Sequence, residues 1–170
     1  MSFATAIGKA SRVVSTEFKK PESTVVPHPA HPGPRHPAVP TSFSLKANYK
    51  KVEQMMEDGM VAAASSVGYG GLAEALFKMG LGNRIGFKMM NNMTTHDMFK
   101  PMYGSIVLEM VSDAPAGELL GETTADYTFE CCGDKLDMAS AAGDLGEQAR
   151  ARLSLPQGRP CRREDRRHPD

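Results

Sequence analysis

Cysteine is scarce in this chain: there are three, two of them adjacent as Cys131 and Cys132. That is a poor disulfide framework, and it points to a reducing, cytoplasmic setting. No sign of charge prevails either, since Lys plus Arg is 20 and Asp plus Glu is 20. A balance of zero removes the global attraction that nucleic acid or an anionic membrane surface would need. Apolar runs fall short of the roughly 18 to 20 residues of a transmembrane helix. The first twenty residues also lack the continuous apolar segment of a secretory signal. Neither G-x-x-x-x-G-K-[ST] nor G-x-S-x-G occurs, so P-loop and hydrolase readings have no support. What is present suits one packed domain: 170 residues, 41% of them hydrophobic, which is too apolar for a wholly disordered chain.

Local bias is strong at both ends. Seven of the 12 prolines and three of the five histidines lie between Pro21 and Pro40. Missing backbone donors and fixed φ angles there argue against helix and central strand alike, and predict an extended linker. Seven of the ten arginines fall between Arg150 and Arg167, whereas all ten lysines precede residue 136. The tail from 139 to 170 is therefore expected to be a solvated, disordered end with a history different from the body.

Between these segments the periodicities are regular. Leu45, Tyr49, Val52 and Met56 recur at spacings of four, three and four, which predicts an amphipathic helix over 44–59. Val61 to Ala64 suits a short buried strand. It leads through Ser65-Ser66-Val67-Gly68-Tyr69-Gly70-Gly71 into a second helix, from about Leu72 to Met79. There Leu72, Ala75, Leu76 and Met79 share a face, Glu74 and Lys78 form an i,i+4 pair, and Gly80 is placed as the C′ residue. Ile85, Phe87 and Met89 alternate with polar or small residues as in a half-buried strand. One or two helical turns are expected over 97–103, and strands over 105–111, 119–124 and 127–131. The order helix, strand, Gly-rich turn, helix, strands predicts a mixed α/β domain of about 90 residues.

Four features could carry chemistry. Gly68-Tyr69-Gly70-Gly71-Leu72-Ala73 is a strand-to-helix turn that formally matches G-x-G-x-x-A, where close backbone approach and free N–H groups favour a phosphate. A dinucleotide site also needs an acidic residue about 20 positions on, and Lys88-Met89-Met90-Asn91-Asn92 supplies none. Another phosphate-binding turn and a purely structural turn both stay open. His28, His31 and His36 lack acidic or thiol partners nearby and make a weak metal site. Cys131 and Cys132 are not C-x-x-C, and neighbours on a strand point to opposite faces, so a buried strand-end cysteine is favoured over a catalytic thiol. Ten of the 12 methionines lie between Met55 and Met110. Core packing is favoured for them over a non-enzymatic partner-binding module with a Met-rich face.

Two stretches, Ser11 to Lys20 and Val67 to Phe87, resemble phosphoribosylformylglycinamidine synthase in its long, single-chain bacterial form. By that resemblance residues 1–26 correspond to the end of a nucleotide-site domain and 27–43 to a Pro/His-rich linker. Residues 44–138 correspond to the second carboxy-terminal-type domain of the aminoimidazole ribonucleotide synthetase superfamily, including Leu120-Gly121-Glu122-Thr123-Thr124. The implied fold has three layers, with helices packed on a mixed sheet. The implied reaction converts formylglycinamide ribonucleotide, glutamine and ATP to the amidine, in a cleft between two domain types. Gly68, Gly70 and Gly71 would face the nucleotide phosphates, and ATP and Mg are the cofactors of the full-length family.

The motif is not intact. Many relatives carry His-Asp-x-Ser-Asp-Gly-Gly-Leu at this turn, with Asp on magnesium and Ser on ATP. The aligned residues here are Ser65 to Leu72, so Ser66 replaces the metal ligand and Gly68 the serine, and neither role carries over. The remaining nucleotide domain and the glutaminase are absent, so the chain alone is expected to be inactive, with the missing domains of the same enzyme as its partners. The odd segments invite a further hypothesis. Codons for Val25 to Pro29, read one nucleotide over, can encode Val-Leu-Ile-Arg-Pro, an apolar strand of the kind the family has there. Codons for the run from Asp144 can likewise encode a stretch resembling the family's lead-in to the glutaminase. Frameshifts flanking an authentic domain are therefore expected, and sequencing the parent DNA overturns this if no downstream frame encodes a glutaminase.

Overall fold

The computed structural model describes residues 10, 13–33, 36–112 and 118–153. Its elements are β1 (Thr24–His28), β2 (Pro32–Gly33), β3 (His36–Pro40), α1 (Ser42–Glu57), β4 (Val61–Ser66), α2 (Gly71–Asn83) and β5 (Gly86–Met89). They continue with α3 (Thr95–Met98), β6 (Ile106–Met110), β7 (Gly121–Thr124), β8 (Thr128–Cys131), β9 (Asp134–Asp137) and α4 (Met138–Leu153). Seven strands form one sheet in the order β4-β6-β1-β7-β5-β8-β9, with β2 and β3 as a separate pair. The sheet is mixed, because β5 and β8 run parallel while its other pairings are antiparallel. Among the described residues no helix is long and apolar enough to cross a membrane.

Alternation along the central strands sends side chains into two cores. Val26, Leu108 and Met110 pack with Val61 and with Val52 and Met55 of α1. Val25, Val107, Ala63 and Phe87 pack on the opposite face with Leu72, Leu76 and Met79 of α2 and with Met138, where α4 begins. Helices thus cover both faces, and the expected three-layer α/β arrangement is present. Each fully buried apolar side chain contributes roughly 1.5–3 kcal/mol relative to its exposure. Phe87 is central to the second core: its ring lies 6.4 Å from that of Phe18 and 5.6 Å from that of Phe129. Phe18 belongs to the chain segment before β1, so that segment is locked into the same core. Met55, Met79, Met98, Met110 and Met138 are all buried, so these methionines fill the core and form no exposed face.

The structure corrects the proline reading. Thr24–His28, expected to run into a linker, is a central strand between β6 and β7, with Pro27 opposite Val107. The carbonyl of Val25 accepts from Leu120 N on the β7 side. Two-residue alternation turns the nitrogen of Pro27 to that same side, beyond Gly121, where the β1–β7 ladder has already ended. The missing donor therefore costs no ladder bond. Buried Glu109 of β6 accepts from the backbone N–H groups of Lys19 (2.8 Å) and Lys20 (3.2 Å), and so pins the entry to β1.

Other boundaries move for physical reasons. The buried residues of α1 include Asn48 and Met55, whereas Tyr49 is exposed. Asn48 is drawn inward because its amide donates to the carbonyls of His28 (3.2 Å) and Gly104 (3.0 Å), which polarity alone would not suggest. Gly80 lies inside α2 rather than after it. A β-carbon there would stand 2.7 Å from the Ile85 carbonyl and 2.9 Å from the Met138 methyl, so its smallness serves packing. The left-handed cap is Arg84, at φ 55°, whose N–H returns to the Gly80 carbonyl. Helical structure near 97–103 is confined to α3. The tail expected to be disordered from 139 starts as α4, and the arginines beyond Leu153 lie outside the described residues.

Candidate functional site

β4 delivers the chain to the Gly-rich turn, and the Val67 N–H donates to the Ser105 carbonyl at 2.9 Å. Ser66 ends the strand opposite Ile106. Gly68 and Gly71 then face each other across an isolated bridge, Gly71 N–H donating to the Gly68 carbonyl at 3.3 Å. Tyr69 is thrown outward and is 79% exposed. α2 starts immediately, with Gly70 at the N-cap, where no side chain of its own can cap the helix. Leu72, Leu76 and Met79 anchor the helix beneath.

The three predicted phosphate-facing glycines come together but differ in what surrounds them. Gly71 adopts φ +69°, and a β-carbon there would lie 2.4 Å from the Met98 carbonyl oxygen and 2.8 Å from that of Lys100. Its smallness lets the end of α3 press on the start of α2. The Gly70 N–H donates to Glu74 Oε2 at 2.8 Å, so the helix N-terminus already holds a carboxylate. Gly68 is open: its nearest prospective neighbour is Glu74 Oε2 at 3.9 Å. Glu74 also accepts from Lys78 Nζ, and this bond, followed by that from Gly70, holds its carboxyl below the usual range. Sequence spacing marks Glu74 and Lys78 as a surface pair, which they are; the reach of Glu74 back over the turn was not foreseen.

Magnesium does not fit this turn. Ser66 and Gly68 offer no carboxylate, and Glu74, the acid that reaches over the turn, is committed to Gly70 and Lys78. The described residues contain no cluster of three or more His, Cys, Asp or Glu able to hold a metal ion. His28 is buried and His31 is exposed, while the side chain of His36 lies outside the described residues.

Two clefts meet at the segment leaving β1. One, of about 270 Å³, is lined by residues including His31, Asp97, Lys100 and Tyr103. Thr94 hydrogen-bonds Asp97 and holds its carboxyl low. The other, of about 620 Å³, is lined by residues including His28, Asn48, Lys51 and Glu118. His28 Nε2 is buried without a hydrogen-bond partner, and burial, then the neighbouring Lys51 charge, lower its pKa below 6.5. The segment between the clefts is fixed by Ala30 N–H to Ser105 Oγ (3.0 Å) and His31 N–H to Ser44 Oγ (2.7 Å).

The cysteines depart from strand alternation. Cys131 closes the β8–β9 hairpin opposite Asp134, and Cys132 and Gly133 form its two-residue loop. Their sulfurs lie 3.2 Å apart on one side, with Cys132 exposed and Cys131 half-buried. A turn residue does not follow the alternation of a strand, so the expectation of opposite faces fails.

No family model matches the chain, and no curated protein matches it. Solved structures do resemble it. PurL of Thermotoga maritima complexed with FGAR superposes with a TM-score of 0.65 at 12% identity, over 78% of this chain and 30% of that one. PurLQS of the same organism gives 0.65 at 14% identity, over 77% and 28%. PurL complexed with AMPPCP gives 0.65 at 14%, over 76% and 27%. At such identities the likeness is one of fold, and the chain spans less than a third of the length of these proteins.

Proposed function

We propose that this chain is a single-domain portion of a phosphoribosylformylglycinamidine synthase, the ATP- and glutamine-dependent ligase of purine biosynthesis. The observation that carries this reading is the shared fold over more than three quarters of the chain with structures described as complexes of FGAR, AMPPCP and ATP. It agrees with the independent resemblance of Val67 to Phe87, which spans the β4–α2 turn. In the whole enzyme this unit contributes one wall of a nucleotide cleft, with other domains of that enzyme forming the rest. Gly68 is the approach point for a phosphate, flanked by Gly70 and Gly71, and a phosphate reaching the Gly70 N–H displaces the Glu74 carboxylate. No free carboxylate for magnesium stands in the turn, because Glu74 is engaged by Gly70 and Lys78.

Calorimetric titration of the chain with ADP and ATP tests the half-site, using parent and Glu74→Gln with and without magnesium. Saturable binding that tightens in Glu74→Gln is expected, because the variant removes the resident negative charge from the helix N-terminus. Absence of heat from both proteins overturns the nucleotide-facing role of the turn. The turn's own chemistry also predicts that magnesium changes affinity through the nucleotide and not through a protein ligand. A loss of binding in Ser66→Ala confined to magnesium-containing buffer contradicts that.

A further inference from the structure

The end of the β8–β9 hairpin gathers two cysteines away from the Gly-rich turn. Cys132 has φ +55° and Gly133 φ +90°, the two positive angles of a type I′ hairpin loop. Asn-Gly or Gly-Gly is the usual occupant, and a non-glycine residue in the left-handed region is uncommon. This backbone, rather than a strand's alternation, brings Cys132 Sγ to 3.2 Å from Cys131 Sγ. Cys132 Sγ also donates to the Met93 carbonyl at 3.3 Å, and Cys131 Sγ to Met89 Sδ at 3.7 Å. Three soft sulfur atoms are thus gathered over a shallow cleft of about 360 Å³, lined also by Lys88, Glu130, Asp134 and Lys135. Glu130 is held by Lys135 at 2.7 Å, so one of the two carboxylates in the cleft is engaged, while the thiols are accessible from the Cys132 side.

The geometry points to a binding site for a trivalent arsenical or an equivalent thiophilic, pyramidal three-coordinate centre, chelated by Cys131 and Cys132. With bonds of about 2.3 Å to each sulfur, a 3.2 Å separation sets an angle of about 90° at the bound atom. That is too narrow for tetrahedral zinc and far from linear copper(I), but it suits a pyramidal centre with a stereochemical lone pair. The polarisable thioether of Met89 flanks the bound atom. With a monosubstituted arsenous oxide the step is balanced and redox-neutral. Two S–H bonds break and two As–S bonds form. The oxide leaves with both protons as water, and arsenic stays trivalent. Burial first, then Cys132 beside it, pushes the Cys131 thiol up to about 12, so the exposed Cys132 sulfur bonds first and Cys131 closes the ring.

Phenylarsine oxide is the probe, added to the reduced full chain and followed by intact mass and by competition. One phenylarsenic adduct per chain is expected, resistant to excess monothiol and released by 2,3-dimercaptopropanol. Cys161→Ser, which removes the third cysteine of the sequence, should bind as the parent does. Cys132→Ser, at an exposed position that leaves the core untouched, should lose about 100-fold or more in affinity, because the second bond to a tethered partner is worth that much. Cys131→Ser should do the same, with circular dichroism confirming the fold. Parental affinity in Cys132→Ser, or an adduct lost in Cys161→Ser, overturns the proposal.

Discussion

Replacing Gly71 by alanine tests whether the Gly-rich turn is shaped for packing as well as for a ligand. Two costs follow from the structure. The residue sits at φ +69°, where an L side chain costs roughly 1–2 kcal/mol. Its new β-carbon would also stand 2.4 Å from the Met98 carbonyl oxygen and 2.8 Å from that of Lys100, both backbone atoms that cannot swing away. Overpacking of this kind costs about 1–3 kcal/mol, so the sum is roughly 2–5 kcal/mol. With a urea slope of about 2 kcal/mol/M, the unfolding midpoint should fall by about 1–2.5 M without a change in slope. Gly68→Ala is the control, because nothing but Glu74 Oε2 at 3.9 Å lies near its prospective β-carbon. There the midpoint should hold or rise slightly, since alanine restricts the unfolded chain by about 0.4–1 kcal/mol. Urea denaturation followed by circular dichroism measures both. A Gly71→Ala protein within about 0.5 kcal/mol of the parent, or a Gly68→Ala protein equally damaged, would refute the packing assignment. Nucleotide binding lost in Gly68→Ala at unchanged stability would isolate the ligand-approach role from the structural one.

Two further outcomes are expected. Glu109→Ala removes the acceptor of the Lys19 and Lys20 N–H groups, so it should cost roughly 2–6 kcal/mol at about 1–3 kcal/mol per orphaned bond. Glu109→Gln, which keeps one oxygen, should cost less, and equal stability of all three proteins in thermal denaturation would contradict this. For His28, the folded pKa lies below 6.5, so the unfolded chain binds the proton more readily. Stability should therefore be full above pH 6.5 and decline as pH falls from there toward the folded pKa. His28→Gln should flatten that decline in urea midpoints taken between pH 7.5 and 5.5, and an unchanged slope would remove His28 as its source.

Much of the helix and strand content was legible because burial repeats with the period of the backbone. Leu72, Ala75, Leu76 and Met79 mark α2, and Ile85, Phe87 and Met89 mark the edge of β5, whatever lies around them. Proline in β1 was misread because its cost depends on which neighbour its nitrogen faces. Pro27 escapes only because β7 ends at Gly121. The burial of Asn48 was not legible for a similar reason: an amide is buried only when carbonyls distant in sequence, here those of His28 and Gly104, arrive to accept from it.

The candidate site divides in the same way. Local sequence determined that a glycine turn would join β4 to α2, since Gly68, Gly70 and Gly71 disfavour continued strand or helix and permit the positive φ that Gly71 adopts. Only the tertiary structure decided that Gly71 would be closed against α3, that Glu74 would occupy the Gly70 N–H, and that Gly68 would stay open. It also decided that Cys131 and Cys132 would point the same way, because a left-handed loop residue breaks the alternation that a strand imposes. Period and propensity are properties of neighbouring residues along the chain. Accessibility, ligand competition and the meeting of two sulfurs depend on which distant groups the fold brings within about 3 Å of each other.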